Sequence, residues 1–274
     1  MNNFKTLIIG RSPSKGARSP ILWNKVFKKK KINCKMYPQD ILNKKKLKLM
    51  FKKLNKEKTF LGGAVTIPYK EDIAKLLKKN VSNEVKKIKA VNCLYRKNGK
   101  LWGTNTDGEA AVESLKIKYG NFSDKKILIC GFGGAGKAIA AYIQKKLKNK
   151  KNLEILTRKI NQKEKYNFIN YKNKNIDFSK YNIVINVTSL GFGSNLNLTP
   201  ISLKNLKKLK LDVFVFDIIY DPPRTNLLKL CDKLKIKNMN GLDMNLRQAA
   251  IAFKYTIKNK KIKNIKEIMN IMRK

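Results

Sequence analysis

Few residues here have types and spacing that point to chemistry, because the background is dominated by one side chain. Lys+Arg occupy 63 of 274 positions and seven of these are arginine, so about one position in five is lysine. A lysine therefore says little unless its setting is unusual. Lys70 has such a setting. It ends the stretch "GGAVTIPYK" (62–70), in which a Gly-Gly pair and the apolar run Ala64, Val65, Thr66, Ile67 lead to a proline. Its best candidate partner is Asp107 in "TNTDG", in a chain that holds only 18 acids. An ammonium beside a carboxylate is a unit that can give and take a proton.

"KILICGFGGAGKAIA" carries a second kind of chemistry. Gly131, Gly133 and Gly136 form G-x-G-x-x-G between an apolar run that reads as a strand and a run that reads as a helix. A lone match is weak, but one in this context is strong. Gly131 allows the tight turn, Gly133 lets the backbone approach a pyrophosphate, and Gly136 lets helix and sheet pack closely. The helix N-terminus then offers free N–H groups to phosphate oxygens. A glycine-rich connector without a ligand is the plain alternative. The following strand, "LEILTRK", ends on Thr157, Arg158 and Lys159, where enzymes that select NAD carry an acid for the ribose 2′-hydroxyl. A cationic pair suits a 2′-phosphate, so NADP is favoured. Lys159 blends into the lysine background; Arg158 does not.

The bulk composition limits the remaining classes. The net charge of +45 is extreme and taken alone suggests nucleic acid or anionic lipid. The basic residues are scattered and nearly all lysine, however, rather than the arginine favoured for phosphate and base recognition. The excess reads as compositional bias, with no specific nucleic acid as partner and a non-specific attraction that salt screens. Cys34, Cys93, Cys130 and Cys231 form no C-x-x-C pair, and there is no histidine. Zinc sites of the usual kind and His-based triads are thereby excluded, and no metal is expected. With no secretory segment and no apolar run of membrane-spanning length, a soluble cytoplasmic protein with reduced thiols is expected.

The elements that must position these residues follow from periodicity and turn residues. Strands are expected at "FKTLIIG", "KMYPQD" and "TFLGGAVTI", and helices at "SPILWNKVFKKK", "LNKKKLKLMFKKL" and "YKEDIAKLLKK". The first helix has a Ser19 N-cap, Pro20 at its first position and apolar spacing at Ile21, Leu22 and Val26. "AVNCLYRKNGKLWGT" reads as a hairpin turning at Asn98-Gly99. A second unit begins with the helix "DGEAAVESLKIKYG". Its strands, "KILIC", "LEILTR", "NIVINVT" and "DVFVFDII", are continuous apolar runs, as a parallel sheet covered on both faces requires. Two helices, "GLDMNLRQAAIAFKYTI" and "IKNIKEIMNIMRK", close the chain.

In this order the motifs resemble the shikimate dehydrogenase family over nearly the whole chain. "GGAVTIPYK", "AVNCLYRKNGKLWGTNTDG", "GFGGAGKA", "LTRK", "INVTSLG" (185–191), "DIIYDPPRTNLL" and "GLDMNLRQAAIAF" are similar to its seven motifs in sequence. The resemblance implies an α/β protein of two domains. An N-terminal α/β substrate domain would span 1–106, with the C-terminal helices 241–274 returning to it. A doubly wound, Rossmann-type NADP-binding domain would span 107–240. The site is expected in the cleft between the domains. The implied activity is NADPH-dependent, reversible reduction of 3-dehydroshikimate to shikimate in aromatic amino-acid biosynthesis, in a monomer or homodimer.

Lys70 and Asp107 are the catalytic pair that the resemblance implies, and the chemistry agrees. Hydride transfer to a ketone builds negative charge on oxygen; an ammonium stabilises that charge and donates the proton, and the reverse reaction needs a base. A lysine does both if burial brings its pKa toward neutrality. A nearby carboxylate opposes that fall, fixes the ammonium's orientation and can bind a substrate hydroxyl. For Asp107, which directly precedes a helix, an N-cap role stands as the plain alternative.

Substrate contacts implied by the same resemblance are Ser19, Thr66, Asn92, Tyr220 and Gln248. The implied cofactor contacts are Gly131, Gly133, Gly134, Ala135, Gly136, Thr157, Arg158, Lys159, Thr188 and Gly241. The chain also departs from the pattern. "SPSKGARSP" has Ala17 where the family's first loop has the first of two serines; the loop is one residue longer, and Ser14 is the alternative source of that hydroxyl. Ala64 replaces an asparagine and Asp243 a glycine. These changes bear on carboxylate binding and on the choice between shikimate and quinate, a rival substrate. A protein that has lost catalysis and binds nucleotide or nucleic acid is the rival of another class.

Overall fold

The computed structural model describes residues 3–160, 165–173, 175–259, 262 and 264–274. In chain order the elements are β1 (Phe4–Gly10), α1 (Ser19–Lys29), β2 (Cys34–Asp40), α2 (Lys44–Lys56), β3 (Phe60–Val65), α3 (Lys70–Leu77), α4 (Asn83–Ile88), β4 (Cys93–Lys97), β5 (Lys100–Thr104), α5 (Asp107–Tyr119), β6 (Ile127–Cys130), α6 (Gly134–Lys146), β7 (Leu153–Thr157), β8 (Asn167–Asn170), β9 (Ile183–Asn186), α7 (Leu203–Leu206), β10 (Phe214–Asp217), α8 (Asn226–Lys233), β11 (Lys237–Met239), α9 (Leu242–Thr256) and α10 (Ile265–Arg273). Lys263, at the head of the stretch read as the last helix, lies outside the described residues. Contacts divide the chain into a first unit, Met1–Asp107 with Leu246–Lys274, and a second, Gly108–Asn245.

The first unit is built on a five-stranded sheet of order β2-β1-β3-β4-β5. β1 pairs in parallel with both β2 and β3, and β3-β4-β5 run antiparallel. The apolar run of β1 serves both faces. Ile8 belongs to a core built with α1, α9 and α10, while Leu7 and Ile9 belong to one built with α2 and α3. Asn98 and Gly99 both take positive φ (49° and 73°) in the β4–β5 turn, which matches the twist of the paired strands.

Helix α1 corrects two details of the sequence reading. Its buried residues include Leu22, Trp23, Val26 and Phe27, whereas Ile21 is 64% exposed. Spacing alone did not choose between neighbouring positions on the stripe; packing of Trp23 and Phe27 against Phe253 of α9 did. Ser19 lies inside the helix, and the N-cap residue is Arg18, with no side-chain cap bond.

Arg96 on β4 shows an arginine used for structure. Its guanidinium donates to the carbonyls of Leu54, Asn55, Glu57, Phe60 and Gly99 at 2.7–3.0 Å, gathering the end of α2, the start of β3 and the hairpin turn. A lysine has fewer donors and no fixed fork. Arg96→Ala is expected to cost about 2–3 kcal/mol, since bonds to a charged donor are worth roughly that much. Urea unfolding would read this as a lower midpoint at unchanged slope; an unchanged midpoint would mean that the five carbonyls are satisfied without it.

The second unit is a six-stranded sheet of order β11-β10-β9-β6-β7-β8, with every pairing parallel. Counted within the unit the order is 6-5-4-1-2-3, the doubly wound arrangement of dinucleotide-binding sheets. The order reverses between β6 and β9, and ligands of such sheets bind beyond the strand ends at that point. β8 and β11, both at the edges, do not appear in the sequence reading. "NFIN" and "KNM" lack any apolar run, and pairing with an interior neighbour makes them strands. Among the described residues, no helix is long and apolar enough to cross a membrane.

Candidate active site

In the first unit, the short segments after β3 and β5 and the start of α3 bring the lysine and the aspartate together. The Thr66 N–H donates to the Ile9 carbonyl (2.8 Å), which fixes the chain as it leaves β3. Tyr69, 2% exposed, donates its hydroxyl proton to the Ile41 carbonyl (2.7 Å). The next residue, Lys70, accepts from the Val91 N–H at 2.9 Å. Its Nζ reaches Asp107 Oδ2 at 2.5 Å, with side chains 16% and 8% exposed. Of the three ammonium donors, this bond uses one.

The other carboxylate oxygen, Asp107 Oδ1, accepts from Asn92 Nδ2 at 2.8 Å. Asn92 is buried and its remaining bonds are also internal. Nδ2 donates to Thr106 Oγ1 (3.0 Å), and Oδ1 accepts from the Thr106 N–H (2.8 Å) and hydroxyl (3.3 Å). Both amide protons and one lone pair are therefore spent, and the second lone pair competes with the Gln248 carbonyl (3.2 Å) for the single Thr106 hydroxyl proton. A substrate oxygen that accepts from Asn92 has to displace one of the two Nδ2 bonds, and orienting Asp107 is the work its geometry displays. Thr106 also lies 3.2 Å from the backbone carbonyl of Gln248, tying α9 to the same group. The Asp107 N–H donates to Asn105 Oδ1 at 3.0 Å. Asn105 thus serves the helix start, and both oxygens of Asp107 are engaged by Lys70 and Asn92.

The structure therefore brings together Lys70, Asn92 and Asp107 with the backbone of Gln248, and fixes Thr66 nearby through its main chain. Thr106 and Asn105 were missed in the sequence. The available signal was "TNTDG" itself, a run of short polar residues of which Thr104, Asn105, Thr106 and Asp107 are all buried. Ser19 is buried, at 6% exposed. Ser14 is exposed and committed elsewhere: its N–H and hydroxyl donate to the Asp40 carboxylate at 3.0 and 2.5 Å. Those two bonds hold Asp40 below the usual carboxylate range.

In the second unit the predicted cofactor residues fall at the carboxyl ends of the strands. Gly131 (φ +107°) begins the turn after β6, and a Cβ there would lie 2.9 Å from Thr188 Cγ2. A Cβ on Gly136 would lie 2.8 Å from the Gly131 carbonyl oxygen, so helix and turn are in close contact. Gly133, the N-cap of α6, is different: a Cβ there would meet nothing within 4 Å. Packing in the chain does not require this glycine, and the open space beside it suits a group that must approach the backbone closely. Gly134 and Ala135 open the helix and add N–H donors there. Thr157 is buried at the end of β7, followed by exposed Arg158 and Lys159. These donors, all cationic or N–H, fit a dinucleotide with a 2′-phosphate.

Thr188 follows β9, and its N–H and hydroxyl donate to Asn186 Oδ1 at 3.0 and 2.7 Å. Tyr220 is half-buried after β10. Gly241, just before α9, must lack a side chain, because a Cβ would lie 1.8 Å from the Ile218 carbonyl oxygen. Its N–H donates to the Ile219 carbonyl at 2.9 Å. Asp243, the departure from the family pattern, accepts from the Ser114 hydroxyl at 3.1 Å. No group of three or more His, Cys, Asp or Glu suited to a metal occurs among the described residues.

One unit with a doubly wound parallel sheet and a glycine turn at its reversal point, and another, an α/β unit that holds a buried lysine–carboxylate pair, define a nucleotide-dependent oxidoreductase. Comparison with known proteins gives the family. Residues 8–94 match the model of the shikimate dehydrogenase substrate-binding domain. A relative from Methanococcus vannielii named shikimate dehydrogenase (NADP(+)) is 35% identical over 269 residues, covering 92% of each chain. One of the same name from Methanocaldococcus jannaschii is 35% identical over 265 residues, covering 93% of this chain and 92% of its own. A solved shikimate dehydrogenase in complex with NADP+ superposes with a TM-score of 0.83 at 29% identity, covering 99% of this chain and 95% of that one. The shikimate dehydrogenase of Aquifex aeolicus gives a TM-score of 0.84 at 27% identity, covering 99% and 98%. The chain belongs to the shikimate dehydrogenase family.

Proposed function

We propose that this chain reduces 3-dehydroshikimate to shikimate reversibly with NADPH, with Lys70 and Asp107 as the catalytic pair. The observation that carries this reading is the 2.5 Å contact between Lys70 Nζ and Asp107 Oδ2, largely removed from water. NADPH, when bound, supplies the hydride. The chain's own residues do the rest. Lys70 presents an ammonium N–H to the ketone oxygen, stabilises the charge that develops there and delivers the proton. Asp107 holds the ammonium in place and is held in turn by Asn92. Thr66, Gln248, Ser19 and Tyr220 supply polar contacts for the ring hydroxyls and carboxylate, and such contacts reject analogues that lack a hydroxyl.

In the second unit, the N–H groups from Gly133 to Gly136 face the pyrophosphate, and Arg158, with Thr157 and Lys159, binds the 2′-phosphate. We place the reaction in the cytoplasm, consistent with four free cysteines, and assign the molecule to a monomer or homodimer. The test is to titrate purified protein with shikimate and NADP+ and follow the absorbance of the reduced cofactor, with quinate and NAD+ in parallel. Turnover with shikimate and NADP+ supports the assignment. Preference for quinate moves the substrate, and no turnover with either overturns the catalytic reading in favour of a binding protein.

A further inference from the structure

We propose that Asp217 is a positioning residue, whose carboxylate ties the loop carrying Thr188 and the turn carrying Tyr220 into one arrangement. The functional side of this rests on the reading of Thr188 as a cofactor contact and Tyr220 as a substrate contact. Asp217 ends β10 and is 0% exposed, as are Asn186 at the end of β9 and Thr225 at the start of α8. Asp217 Oδ1 accepts from Asn186 Nδ2 (3.1 Å) and from the Ile219 N–H (3.1 Å). Asp217 Oδ2 is 2.7 Å from the Thr225 hydroxyl.

Asn186 passes the constraint on. Its Oδ1 accepts from the N–H and hydroxyl of Thr188 (3.0 and 2.7 Å), and its Nδ2 also reaches the Leu190 carbonyl (3.2 Å). Thr188 Oγ1 accepts in turn from the Leu190 N–H (3.1 Å). Gly191, with φ +103°, sits where a Cβ would be 3.1 Å from Thr225 Cβ, so the loop lies against the cap of α8. On the other branch, the Ile219 N–H is held by Asp217 in the residue directly before Tyr220. One carboxylate thus anchors two loops whose residues are read as touching different ligands. An apolar side chain at 217 would leave the Asn186 amide and the Ile219 N–H as buried donors without their acceptor, the arrangement that costs most.

The carboxylate has no ion pair among the described residues. The titratable groups that face it are the thiols of Cys130 on β6 and Cys231 on α8, both pushed up to about 12, chiefly by burial. Burial likewise pushes Asp217 up to about 6, against the lowering effect of bonds from Thr225, Ile219 and Asn186. Its folded pKa lies above the value near 3.9 of an unfolded chain. The stability tied to this group is therefore fully present below the unfolded pKa and is lost as pH rises through about 6. On protonation the Asp217 hydroxyl can donate to Thr225 Oγ1, so the network keeps its shape and the direction of one bond reverses.

The test uses Asp217→Leu and Asp217→Asn in the full chain. In Asp217→Leu, amide hydrogen exchange at 187–191 and 218–220 should accelerate, with KM for both NADP and shikimate rising about tenfold, the size of one lost hydrogen bond to each ligand. In Asp217→Asn the amide oxygen keeps the two donors and the amide nitrogen faces Thr225. Exchange at both segments should stay slow, and the thermal midpoint should exceed wild type by a margin that grows from pH 5 to pH 8. Unchanged exchange at both segments in Asp217→Leu overturns the tether. If that variant does not fold, Asn186→Ala, which removes the link from Asp217 to the Thr188 loop, takes its place, and unchanged exchange at 187–191 overturns the tether. Faster exchange with unmoved KM values supports the tether and sinks instead the contact roles of Thr188 and Tyr220, which Thr188→Ala and Tyr220→Phe would confirm by the same silence.

Discussion

Replacing Lys70 with alanine is expected to lower turnover by ~10² to 10⁴-fold, the usual contribution of a positioned acid–base group. The Michaelis constant for shikimate should move far less, because Thr66 and Gln248 do not depend on the ammonium for their places. Asp107→Asn should be similarly harmful, since it removes the charge that holds Lys70 Nζ at 2.5 Å. The double variant should be little worse than the worse single one, as groups that act as a unit are strongly non-additive. Lys70→Ala also leaves Asp107, 8% exposed, without its counter-charge, so the variant should be less stable. Circular dichroism at the assay temperature separates that loss from the kinetic one. Exposed Lys29 at the end of α1 is the control: Lys29→Ala should be kinetically silent. Equal turnover in the two lysine variants would dismiss the pair.

The second large effect concerns the choice of cofactor. Arg158→Leu is expected to raise the Michaelis constant for NADP by about 10²-fold, the equivalent of roughly two charge-assisted hydrogen bonds to the 2′-phosphate. The constant for NAD, which lacks that phosphate, should change by less than about threefold. Arg158 is exposed at the end of β7, so its loss should leave stability nearly unchanged. Lys159→Ala, next in the chain, should show the same preference more weakly because a lysine lacks the bidentate fork. Parallel losses with both cofactors would show that Arg158 serves the nucleotide in general rather than its 2′-phosphate.

Much of this was legible in the sequence for identifiable reasons. The interior strands β6, β9 and β10 are buried on both faces, which forces continuous apolar runs such as Ile127–Cys130 with every residue buried. The glycine turn was legible because backbone geometry restricts it to one residue type at Gly131 and Gly136. Edge strands such as Asn167–Asn170 were not legible, since their pairing comes from a neighbour and leaves no pattern in their own residues. The first helix was placed correctly, and so were Leu22 and Val26 on its buried face; Ile21 was not, because Ile21 and Leu22 are adjacent in sequence and only Phe253, distant in the chain, decides between Ile21 and Trp23 as the buried neighbour. In the site, the types of Lys70 and Asp107 were readable, but the buried frames around them were not. Asn92, Thr106 and Asn105 act through bonds to one another, as do Asn186, Asp217 and Thr225. Such networks have no spacing rule; they appear only once strands that are far apart in sequence lie side by side.

The first unit is discontinuous, and this has a consequence during synthesis. Trp23, Val26 and Phe27 of α1 share their core with Leu246, Ala249, Ala250 and Phe253 of α9 and with Ile268, Met269 and Met272 of α10. All of those partners are made after the second unit, Gly108–Asn245. At translation speeds of ~5–20 residues per second, the apolar side of α1 waits roughly ten to fifty seconds on the ribosome for its covering helices. The contiguous second unit has no such wait. A nascent chain therefore carries a completed nucleotide-binding half beside a half whose aromatic face is still bare. During that interval a chaperone that recognises exposed aromatic helices would find its substrate at residues 19–29, rather than in the Gly131–Gly136 region.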